Sequence, residues 1–256
     1  MILTIDIGNS RVKWILFEGD RINKYGLFVY GTDSFRSELI QADFPADVEL
    51  VAISNVAGSH LQSELVDVLK ERGIKEIYIA ETQSGALGVS NAYKECSKLG
   101  VDRWLAMLAS FNAVKPDVGK SVCVIDCGTA VTLDVVNSAG VHQGGIIVPG
   151  YKMMCSALND STENIEEDIS DKMDVSLGLG LTTRDAVRQG CAQIIMCGLA
   201  GLVKRLSARE KDGLLCFVTG GDGEWVNKML EKDSIYDPHL VNKGLLLMAK
   251  DRIEKK

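Results

Sequence analysis

Apolar positions in this chain come in short runs that stop at aspartate and glycine. Residues 2–7 form one such run, closing on Asp6-Ile7-Gly8-Asn9-Ser10. A second apolar stretch, 11–17, leads to a turn at Glu18-Gly19-Asp20. The arrangement recurs at 122–125, which closes on Asp126-Cys127-Gly128-Thr129-Ala130 and continues through 131–136 to Asn137-Ser138-Ala139-Gly140. In both places the pattern predicts a buried strand, a tight turn and a returning strand. The echo continues. A strand at 51–54 with a helix around 62–70 matches a strand at 214–219 with a helix around 225–230. Short strands follow at 76–78 and 234–236. Last come helices at 103–114, opened by Val101-Asp102-Arg103, and at 243–253, opened by Val241-Asn242-Lys243. Trp104, Leu105, Leu108 and Phe111 give the first of these its helical spacing. Two copies of strand–strand–strand–helix–strand–helix predict two similar α/β lobes facing a cleft, 1–117 and 118–256. A long helix is expected over 184–207, with Gly190, Gly198 and Gly201 open to close packing.

Composition narrows the classes. The chain has 256 residues, 46% hydrophobic and 25% charged, enough for two ordinary cores. Net charge is −7 and no block of Lys or Arg precedes Lys255-Lys256, which argues against a nucleic-acid groove. Seven cysteines without a CxxC pair, beside three histidines, argue against a disulfide framework or a zinc site. They read as buried reduced thiols of a cytoplasmic protein. Asp6 interrupts the N-terminus before a signal-like run forms. No apolar stretch is expected to approach the roughly 18 residues of a membrane span, so no membrane partner is expected.

The repeated Asp-x-Gly turns carry candidate chemistry. Glycine lets the backbone approach an anion, and the turn N–H groups with Asn9, Ser10 and Thr129 are hydrogen-bond donors. An aspartate at a strand end, Asp6 or Asp126, can bind a cation or its water. Such loops suit phosphoryl transfer, which is mostly positioning and electrostatic stabilisation. Either alone reads as a hairpin turn; at matching places in matching halves they read as a phosphate clamp. Neither a Walker loop nor a dinucleotide fingerprint is present. Asp6, Ile7, Gly8, Asn9, Ser10, Arg11, Val12 and Lys13 are therefore assigned to ATP, with Gly128 and Thr129. Lys13 reads equally as a phosphate contact or a strand-face charge. Gly220 and Gly221, between a strand and a helix, offer a flat surface for an adenine ring or form a plain turn.

Four motifs in order resemble the signature of type III pantothenate kinases: Asp6-x-Gly8-Asn9-Ser10; Gly100-Val101-Asp102-Arg103; Asp126-x-Gly128-Thr129-Ala130-x-Thr132-x-Asp134; and Gly144-Gly145-x-Ile147-x-Pro149-Gly150. Ser10 and Val131 stand where that family often has threonine. The resemblance implies an actin-like (ribonuclease H-like) duplicated α/β fold, each lobe a mixed sheet with flanking helices around a nucleotide cleft. It implies a homodimer that phosphorylates pantothenate with ATP in the first step of coenzyme A synthesis. It implies Asp102 as the base, although on the residues alone Asp102 reads as readily as the cap of a helix beginning near Arg103. Gly100, Val101, Arg103, Tyr93 and Thr183 become acceptor-site residues, Thr183 (or its neighbour Thr182) reaching in from the other subunit. Asp6 would hold the magnesium of Mg-ATP through water, and Asp126 a monovalent cation, K⁺ or NH₄⁺. The rivals are a phosphatase of the same superfamily, resembling exopolyphosphatase, and a nucleotide-switched regulator without an acceptor base. The acidic stretch 163–174 reads as a solvated loop or a flap.

Overall fold

The computed structural model describes residues 1–31, 34–45, 47–114, 119–160, 178–211, 213–230 and 234–255. The acidic stretch 163–174 lies outside them. The chain divides into two compact units, one of Met1–Ala113 with His239–Lys256, the other of Val114–Pro238.

The first unit begins with β1 (Ile2–Ile7), β2 (Arg11–Glu18) and β3 (Arg21–Val29), followed by α1 (Phe35–Gln41), β4 (Leu50–Asn55), α2 (Ser59–Glu71) and β5 (Ile77–Ile79). A small hairpin, β6 (Gly85–Ala86) and β7 (Val89–Ser90), precedes α3 (Val101–Ala113). The second unit holds β8 (Ser121–Cys127), β9 (Ala130–Val136), β10 (His142–Pro149), α4 (Tyr151–Asp160), α5 (Thr183–Ser207), β11 (Leu214–Thr219), α6 (Gly223–Leu230) and β12 (Ser234–Tyr236). The final helix, α7 (Leu240–Glu254), returns to the first unit.

The sheets share one topology. Their orders are β3-β2-β1-β4-β5 and β10-β9-β8-β11-β12, with the first two pairings antiparallel and the last two parallel. The repeat is legible in the sequence pattern, and the mixed sheet in each copy is what the family resemblance implies. In the first sheet, Leu3, Ile5 and Ile7 pack with Val12, Trp14 and Leu16 against Phe35, Leu39, Leu65 and Leu69 of α1 and α2. Alternation puts Thr4 and Asp6 on the opposite face. There the Asn242 amide of α7 donates to the buried Thr4 hydroxyl at 3.0 Å. Gly244 lets α7 cross α3 closely, because a side chain there would overlap the Leu105 carbonyl.

Three features depart from the sequence reading. The lobe expected to run from 118 to 256 loses its last helix to the first unit, because α7 buries Leu245, Leu246 and Met248 and fastens to β1. Edge strand β3 was absent from the repeat, because its pattern is inverted. Tyr25, Leu27 and Val29 face outward, whereas Gly26 faces inward, leaving room for the Trp14 ring. Finally, α5 is long and apolar enough, by length and composition, to cross a membrane, contrary to the expectation that no stretch comes near that. One face of it, with Cys191, Ala192, Ile195, Met196 and Leu199, is buried in the core of the second unit. That core also takes Cys123, Cys127, Cys155 and Cys216, and all seven cysteines are free thiols.

Candidate active site

The two Asp-x-Gly turns join the first two strands of each sheet. In the first, Ile7 pairs with Val12 and the Gly8 N–H donates to the Arg11 carbonyl at 3.1 Å, leaving Asn9 exposed at the tip. Asp6 stands opposite Lys13, so both lie on one sheet face, each half-buried, while Arg11 is exposed. The second turn is one residue shorter: Cys127 pairs with Val131, and the Gly128 N–H donates to Ala130. Gly128 and Thr129 are exposed.

Around the second turn the backbone is closely stacked. A Cβ on Gly150 would come within 2.5 Å of the Gly128 and Thr129 carbonyl oxygens, so the Pro149-Gly150 turn supports this loop directly. Gly220, at φ +91°, lies against the Cys127 backbone, and a Cβ there would stand 2.6 Å from Asp126 Oδ1. The Asp222 N–H donates to the Cys127 carbonyl at 3.1 Å. Gly220 thus packs two loops together, while Gly221 is exposed beside it. Burial and the nearby Asp126 and Asp222 carboxylates hold the Cys127 thiol well above its usual range. The Tyr236 hydroxyl donates to the Gly220 carbonyl at 3.3 Å. Burial first, then Glu224 and other negative neighbours, raises its pKa.

The Gly100–Arg103 motif and Tyr93 gather in the first unit. Gly100 accepts the Trp104 N–H at 3.1 Å, so α3 starts at Val101 and Asp102 lies inside its first turn. The helix expected near Arg103 begins two residues earlier. Asp102 is half-buried, and its Oδ1 accepts the Arg103 N–H at 2.8 Å. The same oxygen folds back over Gly100, where a Cβ would come within 2.5 Å of it. Arg103 is buried, donates from Nη1 to the Tyr93 hydroxyl at 3.1 Å, and stands 5.8 Å from the centre of the Tyr93 ring. Gly100, Val101, Asp102, Arg103 and Tyr93 are therefore neighbours.

A family model described as type III pantothenate kinase matches residues 2–209. The chain belongs to the type III pantothenate kinase family. A relative so named from Nitrosococcus oceani is 36% identical, the alignment covering 98% of this chain and 94% of the other. Another, from Teredinibacter turnerae, is 34% identical and aligned over the full length of both. Among solved structures, a Baf family protein from Campylobacter jejuni is similar at a TM-score of 0.62 and 22% identity, covering 98% of this chain and 99% of that one. MreB 5 of Spiroplasma citri, bound to AMPPNP, follows at 0.51 and 11%, covering 99% and 98%. These likenesses show the actin-like fold.

Within this pantothenate kinase family member the remaining motif residues take different places. Asp134, expected with the second loop, is buried and bonded to His142 Nε2 at 3.0 Å. Thr182 is the cap of α5: its hydroxyl oxygen accepts the Asp185 N–H at 3.1 Å and its hydroxyl donates to Asp185 Oδ2. Thr183 is the first helical residue and is exposed. Tyr30, Tyr236 and His142 went unnoticed in the sequence, since each contacts the motif residues only through strand pairing or chain return.

Proposed function

We propose that this chain transfers the γ-phosphoryl group of ATP to the hydroxyl of pantothenate, giving 4'-phosphopantothenate, the first step of coenzyme A biosynthesis. The observation that carries the reading is the Asp102–Arg103–Tyr93 cluster on a chain whose relatives are named for this activity over their whole length. A switch protein has no use for a carboxylate folded over a glycine beside a buried guanidinium. Arg103 suits the planar carboxylate of the acceptor, which it would bind in two-pronged fashion, with Tyr93 fixing its plane. Asp102 would accept the proton of the attacking hydroxyl and orient it. A loose transition state asks for little prior deprotonation, so an ordinary carboxylate suffices.

The turns at Asp6–Ser10 and Asp126–Thr129 would take the phosphates, with Lys13 beside Asp6, and Gly221 would lie against the adenine. Among the described residues no cluster of three or more His, Cys, Asp or Glu could hold a metal alone. Asp6 would hold magnesium through water. Asp126, near the end of β8 beside the second turn, would hold a monovalent cation, K⁺ or NH₄⁺, as the family resemblance implies. Such cations neutralise phosphate charge when bound.

The active unit we propose is a cytoplasmic homodimer in which Thr183 serves the partner's acceptor site. Exposed Gly190, Ile194, Cys197, Gly198 and Gly201 form an outward stripe on α5 that suits close helix contact, and sedimentation would give the mass. The test of the catalytic assignment is Asp102→Asn. Turnover should fall about 10²–10⁴-fold with ATP binding retained. A loss of thermal stability on the same scale would make Asp102 a structural residue instead.

A further inference from the structure

Tyr30 lies outside every phosphate-loop motif, one residue past the end of β3. Its ring packs edge-on against the buried Phe35 of α1, with centroids 4.8 Å apart. From that anchored position its hydroxyl donates to the carbonyl oxygen of Gly8 at 2.5 Å. The donor comes from 22 residues away and reaches the one glycine of the first turn.

The direction of that bond matters more than its strength. In a planar trans peptide the C=O of one residue and the N–H of the next point opposite ways. With the Gly8 carbonyl turned to Tyr30, the Asn9 N–H is turned away from it. Gly8 has no Cβ, so its backbone reaches the flipped arrangement more readily than other residues. A flip would put a carbonyl oxygen where an anion needs a donor. The Gly8 N–H is already occupied by the Arg11 carbonyl at 3.1 Å and cannot hold the next peptide plane. Burial keeps the Tyr30 hydroxyl protonated above the usual phenol range, so it remains a donor at neutral pH.

We propose that Tyr30 is a positioning residue for nucleotide binding, holding the Gly8–Asn9 peptide so that the Asn9 N–H faces the phosphates. The inference rests on the reading of Asp6–Ser10 as a phosphate loop. It makes the edge strand β3, rather than the loop itself, the source of the loop's preorganisation.

Tyr30→Phe keeps the ring and its contact with Phe35 and removes only the hydroxyl. Two measurements decide the matter. The dissociation constant for Mg-ATP should rise about 3–10-fold, the scale of one lost hydrogen bond, while that for adenosine, which has no phosphate, stays put. Amide hydrogen exchange at Gly8, whose N–H is held by the Arg11 carbonyl at 3.1 Å, should quicken in the ligand-free protein as the turn loosens, with melting temperature little changed. Unchanged loop exchange overturns the proposal, and so does an equal loss for ATP and adenosine. The exchange arm uses no nucleotide. A wild-type chain that binds no ATP would therefore sink the phosphate-loop reading while the Tyr30 contact is still judged by exchange.

Discussion

Replacing Gly100 by alanine tests the proposed acceptor site with one methyl group. The added Cβ would stand 2.5 Å from Asp102 Oδ1, where ordinary contact begins at 3.4 Å. The oxygen must therefore retreat by roughly 0.9 Å, a displacement large enough to matter if Asp102 is the base proposed above. The retreat also gives up the 2.8 Å bond from the Arg103 N–H. The displaced atom is the tip of a side chain, and Gly100 is not among the positive-φ glycines, so the backbone can stay in place. Alanine also stiffens the unfolded chain, which offsets part of the lost contact. Stability should then change by less than about 1 kcal/mol, a Tm shift of only about 2–4 °C. Turnover at saturating ATP and pantothenate should fall about 10–10²-fold, since a misplacement near 1 Å costs on that order. Steady-state ADP release and a thermal melt measure the two effects separately. The double variant with Asp102→Asn should be no slower than Asp102→Asn alone, because Gly100 acts only through that carboxylate. Full activity in Gly100→Ala would refute the reasoning, as would a double variant whose losses multiply.

Two further substitutions probe the supports of the site. Gly220→Ala places a side chain at φ +91° against the Cys127 backbone, which cannot swing aside; it should cost about 3 kcal/mol or more and weaken ATP binding, whereas wild-type melting with intact affinity would remove Gly220 from the support of the second loop. Asn242→Ala leaves the buried Thr4 hydroxyl without its 3.0 Å donor and should cost about 1–3 kcal/mol in denaturant unfolding, with a non-additive cycle against Thr4→Val; additive losses would mean that the two do not act as a pair.

What was legible in the sequence was what repeats locally. The Asp-x-Gly turns, the strands around them and the glycine pair after β11 could be read because strand, turn and returning strand are close in the chain. Edge strand β3 could not, because it sends Tyr25, Leu27 and Val29 outward and turns Gly26 inward toward Trp14. Missing β3 meant missing Tyr30, whose contact with Gly8 exists only once β3 pairs with β2. The lodging of α7 in the first unit was hidden by the repeat itself, which assigns the last helix to the second copy. Its fastening to β1 through Asn242 joins residues 238 positions apart. The start of α3 was misplaced because Asp102 reads as a helix cap, which puts the first helical residue at Arg103, whereas the Gly100 carbonyl accepts the first helical bond. The capping role of Thr182 was not legible either, because its hydroxyl meets Asp185 only once α5 has formed.

The most direct test of the central claim is product analysis after incubating the purified protein with ATP, magnesium, potassium and pantothenate. Pantothenate should gain one phosphoryl group by mass, one ADP should form for each, and ADP release should stop when pantothenate is left out. Release of inorganic phosphate with pantothenate unmodified would contradict the account and place water, not an alcohol, opposite the γ-phosphate.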